Sequence, residues 1–196
     1  MSTPRQASSR LLLATAVMAM SPDLVLAGEA PDASKPFSPE PHAVFLQFGA
    51  GDHTRTATVG FSWDLPWRKR WANGELSACM DTSLGRWWIK QDGAAGAPWV
   101  TQVGLTPVLR YRWLKKWPGW FAEVGIGANV LTPVFNDNNR RFSTAFNFGD
   151  HLALGRGFGE GMREELAVRV QHYSNGGIKQ PNPGINFVQL RYSHRF

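Results

Sequence analysis

The sequence is poor in cysteine, with Cys79 alone among 196 residues. One cysteine cannot form an intramolecular disulfide, and it excludes a metal site built from several cysteines. The histidines at positions 42, 53 and 194 have no partners at the spacing of metal ligands. We therefore expect neither a metal ion nor another cofactor.

Long apolar runs are also missing after residue 27, where no segment reaches the roughly 18 residues of a transmembrane helix. The one nearly continuous apolar stretch, residues 11–20, follows Arg5 and Arg10 and precedes Val25-Leu26-Ala27, which puts small residues at the expected places before Gly28. This pattern is typical of a secretory signal peptide over residues 1–27, and it predicts export. Residues 28–42 contain four prolines, which predicts a flexible periplasmic lead-in without regular structure.

The charge is moderately positive, with a formal net value of +6. Removing Arg5, Arg10 and Asp23 with the signal peptide takes away two positive charges and one negative charge, which leaves +5. An excess of positive charge suits an anionic surface such as phosphorylated lipid. For an exported chain of this pattern, a nucleic-acid partner is not expected.

From Ala43 onward, apolar and polar residues alternate with a period of two, which indicates β-strands rather than helices. In residues 56–65 the apolar side chains at 57, 59, 61, 63 and 65 alternate with threonine, glycine, serine and aspartate. Residues 66–74 and five further segments have turn composition. The sequence predicts eight strands, at 43–51, 54–65, 74–88, 98–111, 119–131, 141–155, 163–173 and 185–196.

Eight alternating strands can close into a soluble, ligand-holding barrel or into a membrane barrel. The predicted lengths favour the membrane, because a tilted transmembrane strand needs about 9–11 residues. An aromatic girdle at the membrane interfaces is also predicted. Its members are Trp63, Trp67, Trp71, Trp87, Trp88, Trp113, Trp117 and Trp120. A strand-terminal Phe196 resembles the closing strand of outer-membrane barrels, so residues 43–196 are predicted to form an all-β, eight-stranded antiparallel transmembrane β-barrel in the outer membrane of a Gram-negative-type envelope.

The seventh predicted strand carries the most informative face of the chain. Because residues i, i+2 and i+4 share a face, one face holds Leu166, Val168, Val170, His172 and Ser174. The apolar stripe formed by the first three of these residues therefore finishes with a base, His172, and a hydroxyl group, Ser174. Counting strands from a periplasmic N-terminus puts them at the outer rim, together with Asn186 of the eighth strand. If the stripe faces lipid, the pair is placed to do chemistry on a lipid.

Residues 172–185, His-Tyr-Ser-Asn-Gly-Gly-Ile-Lys-Gln-Pro-Asn-Pro-Gly-Ile, resemble the active-site segment of the PagL-type lipid A 3-O-deacylases. Residues 146–155 are also similar to that family. The resemblance implies an eight-stranded outer-membrane barrel whose external site hydrolyses the ester at position 3 of lipid A, the acylated anchor of lipopolysaccharide. It implies a serine-esterase mechanism without metal.

The resemblance also implies residue roles. Ser174 is the nucleophile, and His172 is the general base that takes its proton. Asn186 stands where the family usually has glutamate, and its amide oxygen can accept a hydrogen bond from the imidazole. Asn175 and Asn182 are oxyanion-hole candidates.

Several alternatives remain open at this stage. A non-enzymatic barrel, either structural or adhesive, or a catalytically weakened homologue, is the main rival to the esterase. Asp137 could replace Asn186 as the partner of the imidazole. Asp150 and His151 are interpreted as serving packing or the polarity of the lumen. Whether the protein is a monomer or a homodimer is left open.

Overall fold

The computed structural model describes residues 38–90, 97–137 and 140–196. The strands are β1 (Ala43–Gly51), β2 (Thr54–Trp71), β3 (Gly74–Ile89), β4 (Trp99–Trp113), β5 (Trp120–Thr132), β6 (Asn136–Asp137), β7 (Arg140–Arg141), β8 (Phe146–Phe158), β9 (Glu164–Ser174) and β10 (Ile185–Arg195). One 3₁₀ turn spans Glu160–Met162. In these ranges no helix is long and apolar enough to cross a bilayer. The predicted signal peptide and most of the predicted lead-in lie outside the described residues.

Eight strands close into an antiparallel barrel in the order β1-β10-β9-β8-β5-β4-β3-β2. The pairing of β1 with β10, which includes Ala43 opposite Arg195, completes the ring. The short strands β6 and β7 pair with each other in the loop between β5 and β8. Closure leaves no open sheet edge, which a bilayer could not accommodate. The predicted eight-stranded antiparallel barrel is confirmed.

The period-two pattern of the sequence becomes an inner and an outer face. Val59 and Phe61, on the apolar face of the alternating segment 56–65, are 40% and 42% exposed, while Ser62 between Phe61 and Trp63 is buried. On β9, the side chains of Leu166, Val168 and Val170 are exposed on the outside. The barrel therefore presents an apolar surface to its surroundings and keeps its polar residues within.

The lumen of the barrel holds a network of buried charges. Arg110 lies 2.5 Å from Glu123 and 2.8 Å from Glu165, and Arg191 lies 2.6 Å from Asp81. Buried charges are tolerated when each has an oppositely charged or hydrogen-bonding partner. These pairs join β3, β4, β5, β9 and β10 across the lumen.

An apolar plug fills the lumen at the end that carries the 175–184 loop. Its members are Trp87, Ile89, Val100, Leu131, Phe135, Phe142, Tyr173, Ile185 and Phe187. Trp87 is 1% exposed and packs edge-on against both Tyr173 and Phe187. The prediction that Trp87 belongs to the interfacial girdle is wrong, because its parity on β3 turns it into the barrel, whereas its neighbour Trp88 is exposed on the outside.

Two predicted strand boundaries are also wrong. Residues 66–71, predicted as a turn, belong to β2, whose pairing with β3 shifts register between Asp64 and Arg68. Pro66 lies in this bulge, where the absence of its N–H removes no regular ladder hydrogen bond. Strand β8 begins at Phe146 rather than at 141, because Arg140 and Arg141 pair with β6 in the loop hairpin.

Candidate active site

The site lies on the outer face of β9 and β10, beside the loop at 175–184 that joins them. His172 and Asn186 are register partners on the two strands. The Nδ1 atom of His172 is 2.7 Å from the Oδ1 atom of Asn186. A carbonyl oxygen only accepts hydrogen bonds, so Nδ1 carries the hydrogen, and in the neutral imidazole Nε2 then has the lone pair. The arrangement leaves the basic nitrogen of His172 available for another group.

Ser174 follows His172 on the same face of β9, and both side chains are half-buried. Residues two apart on a strand point to the same side, so the hydroxyl and the imidazole are neighbours on the surface. Within the part of the chain that the structure describes, no hydrogen bond joins the two side chains. Nucleophile and base often come into hydrogen-bond contact only when substrate is bound.

Gly184 lies against the edge of the imidazole that carries Cε1 and Nε2. A Cβ atom at this position would lie 2.6 Å from Cε1 and 3.1 Å from Nε2 of His172. Its φ angle is +63°, a backbone conformation that glycine adopts readily and other residues rarely do. The glycine therefore lets the end of the 175–184 loop pass directly against the imidazole.

We expect Gly184→Ala to lower the deacylation rate while the barrel still folds. The added methyl group would displace the edge of the imidazole that carries Nε2, and misplacement by about 1 Å can cost about a hundredfold in rate. The measurement is kcat on purified lipid A in detergent micelles. Gly177→Ala is the matched control, because Gly177 also has positive φ, at +84°, but a Cβ there would meet nothing within 4 Å. Equal losses in both variants would contradict the role assigned to Gly184.

The two asparagines predicted as oxyanion donors hold the loop together. The side-chain amide of Asn175 donates to Ser143 Oγ at 2.9 Å and to the Lys179 carbonyl at 2.7 Å. Its backbone N–H donates to Asn182 Oδ1 at 2.9 Å. Both amide hydrogens of the buried Asn175 side chain are thus in use. The Nδ2 group of Asn182 has no acceptor among the described residues, and it is half-exposed.

The site is supported from inside the barrel by the apolar plug. Tyr173 lies between His172 and Ser174 in sequence and points into the lumen, where its ring packs against Trp87. Phe187 follows Asn186 and packs against the same indole. Because interiors are close-packed, this packing holds β9 and β10 in place. It thereby also fixes the positions from which the outward side chains at 172, 174 and 186 project.

Asp137, the predicted alternative partner of the imidazole, lies in the hairpin of β6 and β7. Its Oδ1 atom accepts a hydrogen bond from the backbone N–H of Arg140 at 2.7 Å. Arg140 in turn forms an ion pair with Asp52 at 2.7 Å, and its hydrogen bond keeps the pKa of the Asp52 carboxyl below its usual value. The hairpin is thereby tied to the β1–β2 turn. The hydrogen-bond partner of the His172 imidazole in the structure is Asn186.

Asp150 and His151 lie on opposite faces of β8. His151 is buried in the lumen, in agreement with its interpretation as a lumen residue. Asp150 points outward and is the register partner of His172 on the neighbouring strand, so its interpretation as a lumen residue is wrong. Its alternation with Phe148 and Leu152 was a readable signal of the outward direction.

The fold and the site together define an integral outer-membrane β-barrel with a hydrolase-like site on its external surface. The family model described as Lipid A 3-O-deacylase (PagL) matches residues 55–195. The chain belongs to this lipid A 3-O-deacylase family, which makes it an acyl-ester hydrolase of the outer membrane.

Individual relatives agree with this membership. The lipid A deacylase PagL of Bordetella bronchiseptica is 34% identical over 163 residues, which cover 81% of this chain and 85% of that protein. The lipid A deacylase PagL of Pseudomonas aeruginosa is 30% identical over 145 residues, which cover 72% of this chain and 79% of that protein. A crystal structure of the outer membrane enzyme PagL superposes with a TM-score of 0.66 at 27% identity, covering 79% of this chain and 99% of that chain.

Proposed function

We propose that the chain hydrolyses the 3-O-linked acyl ester of lipid A with Ser174 as nucleophile and His172 as general base. The observation that carries this proposal is the hydrogen bond between His172 Nδ1 and Asn186 Oδ1 at 2.7 Å. In the neutral imidazole it leaves the lone pair on Nε2, and Ser174 lies on the same face of β9. Both groups end an apolar outward stripe, where polar side chains are costly and where acyl chains of a membrane lipid are within reach.

The reaction follows from these positions. His172 Nε2 removes the proton of Ser174 Oγ as the oxygen attacks the ester carbonyl carbon. The tetrahedral intermediate collapses when the imidazolium returns that proton to the departing 3-oxygen of the sugar. Water, activated by the same imidazole, then hydrolyses the acyl-serine, which releases a fatty acid and restores the hydroxyl.

An oxyanion needs donors that are free when it forms. Asn182 has its Nδ2 group available, since only its Oδ1 atom and backbone N–H are used within the described loop. The side chain of Asn175 could donate only after giving up its bonds to Ser143 and Lys179. We therefore assign the side-chain donor to Asn182 and give Asn175 the task of holding the loop beside Ser174.

Replacement of Asn186 tests the orientation of the imidazole. We expect Asn186→Ala to lower kcat by about tenfold to a hundredfold, because the ring loses the acceptor that selects its tautomer. We expect Asn186→Glu to raise kcat, since a carboxylate both orients the ring and stabilises the imidazolium. Asp137→Asn serves as the control and is expected to match the parent protein. A silent Asn186→Ala together with a severe Asp137→Asn would assign the role to Asp137.

The reaction itself is tested by mass spectrometry of lipid A from cells with and without this protein. We expect loss of the mass of the 3-linked acyl chain and appearance of the free fatty acid. Unchanged lipid A, with a folded barrel present in the outer membrane, would favour the rival interpretation of a non-enzymatic barrel. All residues of the proposed site come from one chain, so a second copy is not required for it.

A further inference from the structure

The neighbours of His172 on the outer surface come from both sides of β9. Asn186 is its register partner on β10, and Asp150 is its register partner on β8. Directly opposed residues in an antiparallel sheet have Cβ atoms about 4.5–5.5 Å apart. The imidazole is thus placed between an amide on one side and a carboxyl group on the other, all three at one level of the lipid-facing surface.

The surroundings of Asp150 leave it one polar neighbour in this row. Phe148 and Leu152 flank it on β8, and Ile126 opposes it on β5. The Oδ1 atom of Asp150 is shielded from solvent and accepts no hydrogen bond from any described residue, and the polar residue opposite it on β9 is His172. A carboxyl group on an apolar, lipid-facing surface is costly, and nothing in the packing of β8 accounts for it.

Asn186 can perform only one of the two tasks that a partner of the His172 base performs. Its amide oxygen orients the imidazole, but an amide carries no charge to stabilise the imidazolium that forms when His172 takes the proton of Ser174. In the family, a glutamate at this position would do both. In this chain the only carboxylate beside the imidazole in the described residues of that row is Asp150.

We propose that Asp150 is a positioning residue of the deacylase, which supplies the negative charge opposite the imidazolium while Asn186 sets its orientation. The proposal rests on the proposed function of Ser174 and His172. In this arrangement Asn186 on β10 orients the imidazole and Asp150 on β8 stabilises its positive charge, whereas one glutamate can perform both tasks. It further implies that a carboxylate on either side of His172 is sufficient.

The test is a set of variants measured with purified lipid A in mixed micelles, with kcat and KM determined separately. We expect Asp150→Asn to lower kcat by about tenfold to a thousandfold, with little change in KM, because charge stabilisation acts on the transition state. We expect Asp150→Asn combined with Asn186→Glu to return kcat to within about tenfold of the parent. The gain from Asn186→Glu should be larger in this background than in the parent protein.

Leu152→Asn is the matched control, because it places the same amide at the next outward position of β8 and leaves Asp150 intact. It is expected to keep the parental kcat. The proposal is overturned if Asp150→Asn keeps the parental kcat, or if its loss is not restored by Asn186→Glu, which would indicate a structural role on β8. Failure of the proposed function is a separate result, because an active Ser174→Ala protein would refute serine catalysis whatever Asp150 does.

Discussion

Replacing Ser174 by alanine is expected to lower the deacylation rate by about 10⁴-fold or more while leaving the barrel folded. The hydroxyl makes no hydrogen bond within the described structure, and it lies at the half-exposed end of β9, so its loss removes the nucleophile and little else. Release of the 3-linked fatty acid by the purified variant gives the rate, and heat-dependent migration in gels reports the fold.

The same rate measurement shows whether Ser174 and His172 act together as one catalytic unit or contribute independently. His172→Ala should cost about as much as Ser174→Ala, and the double variant should cost no more than either single variant, since the two side chains act in one step. Thr101→Ala removes another outward-facing hydroxyl near the same end of the barrel and is expected to be silent. A Ser174→Ala protein with a near-parental rate would show that the nucleophile is another group.

The second large effect concerns stability. Asp81 lies 2.6 Å from Arg191 and 3.9 Å from Arg169, and Ser62 donates a hydrogen bond to it at 2.6 Å. We expect Arg191→Met to reduce the free energy of unfolding by about 3–5 kcal/mol, because it leaves a buried carboxylate without its main partner. The midpoint of urea unfolding of the refolded barrel in detergent measures the change.

A paired variant shows whether the loss comes from the unpaired charge. Asp81→Leu combined with Arg191→Met removes both charges and fills the space with apolar atoms. We expect it to be more stable than Arg191→Met alone, since replacing a whole buried pair is often neutral or favourable. If the double variant is less stable than the single one, the packing of the arginine rather than its charge supports the barrel.

The faces of the strands could be predicted from the sequence because alternation alone determines them. Once Leu166, Val168 and Val170 are assigned to the outside, His172 and Ser174 must follow. The same argument applies to Asn186 with Val188 and Leu190 on β10. The pairing of adjacent strands then brings His172 and Asn186 together, which the antiparallel order of consecutive strands makes predictable.

Other features required information that one strand does not carry. The tryptophans at 87 and 88 are adjacent, so one of them must point inward, but which one depends on the register of β3. The relation of Asp150 to His172 depends on how far β8 slides along β9, and a charged side chain by itself does not reveal its cross-strand partner. The extension of β2 to Trp71 could not be predicted because proline usually ends a strand, whereas Pro66 lies in a bulge and the strand continues beyond it.

The apolar plug has a consequence for the envelope as a whole. Rings from Trp87, Phe135, Tyr173 and Phe187 fill the outer end of the lumen, and paired charges occupy the space beneath them. A small barrel whose interior is filled by its own side chains has no open channel. The enzyme can therefore span the outer membrane without opening a path for ions or small solutes.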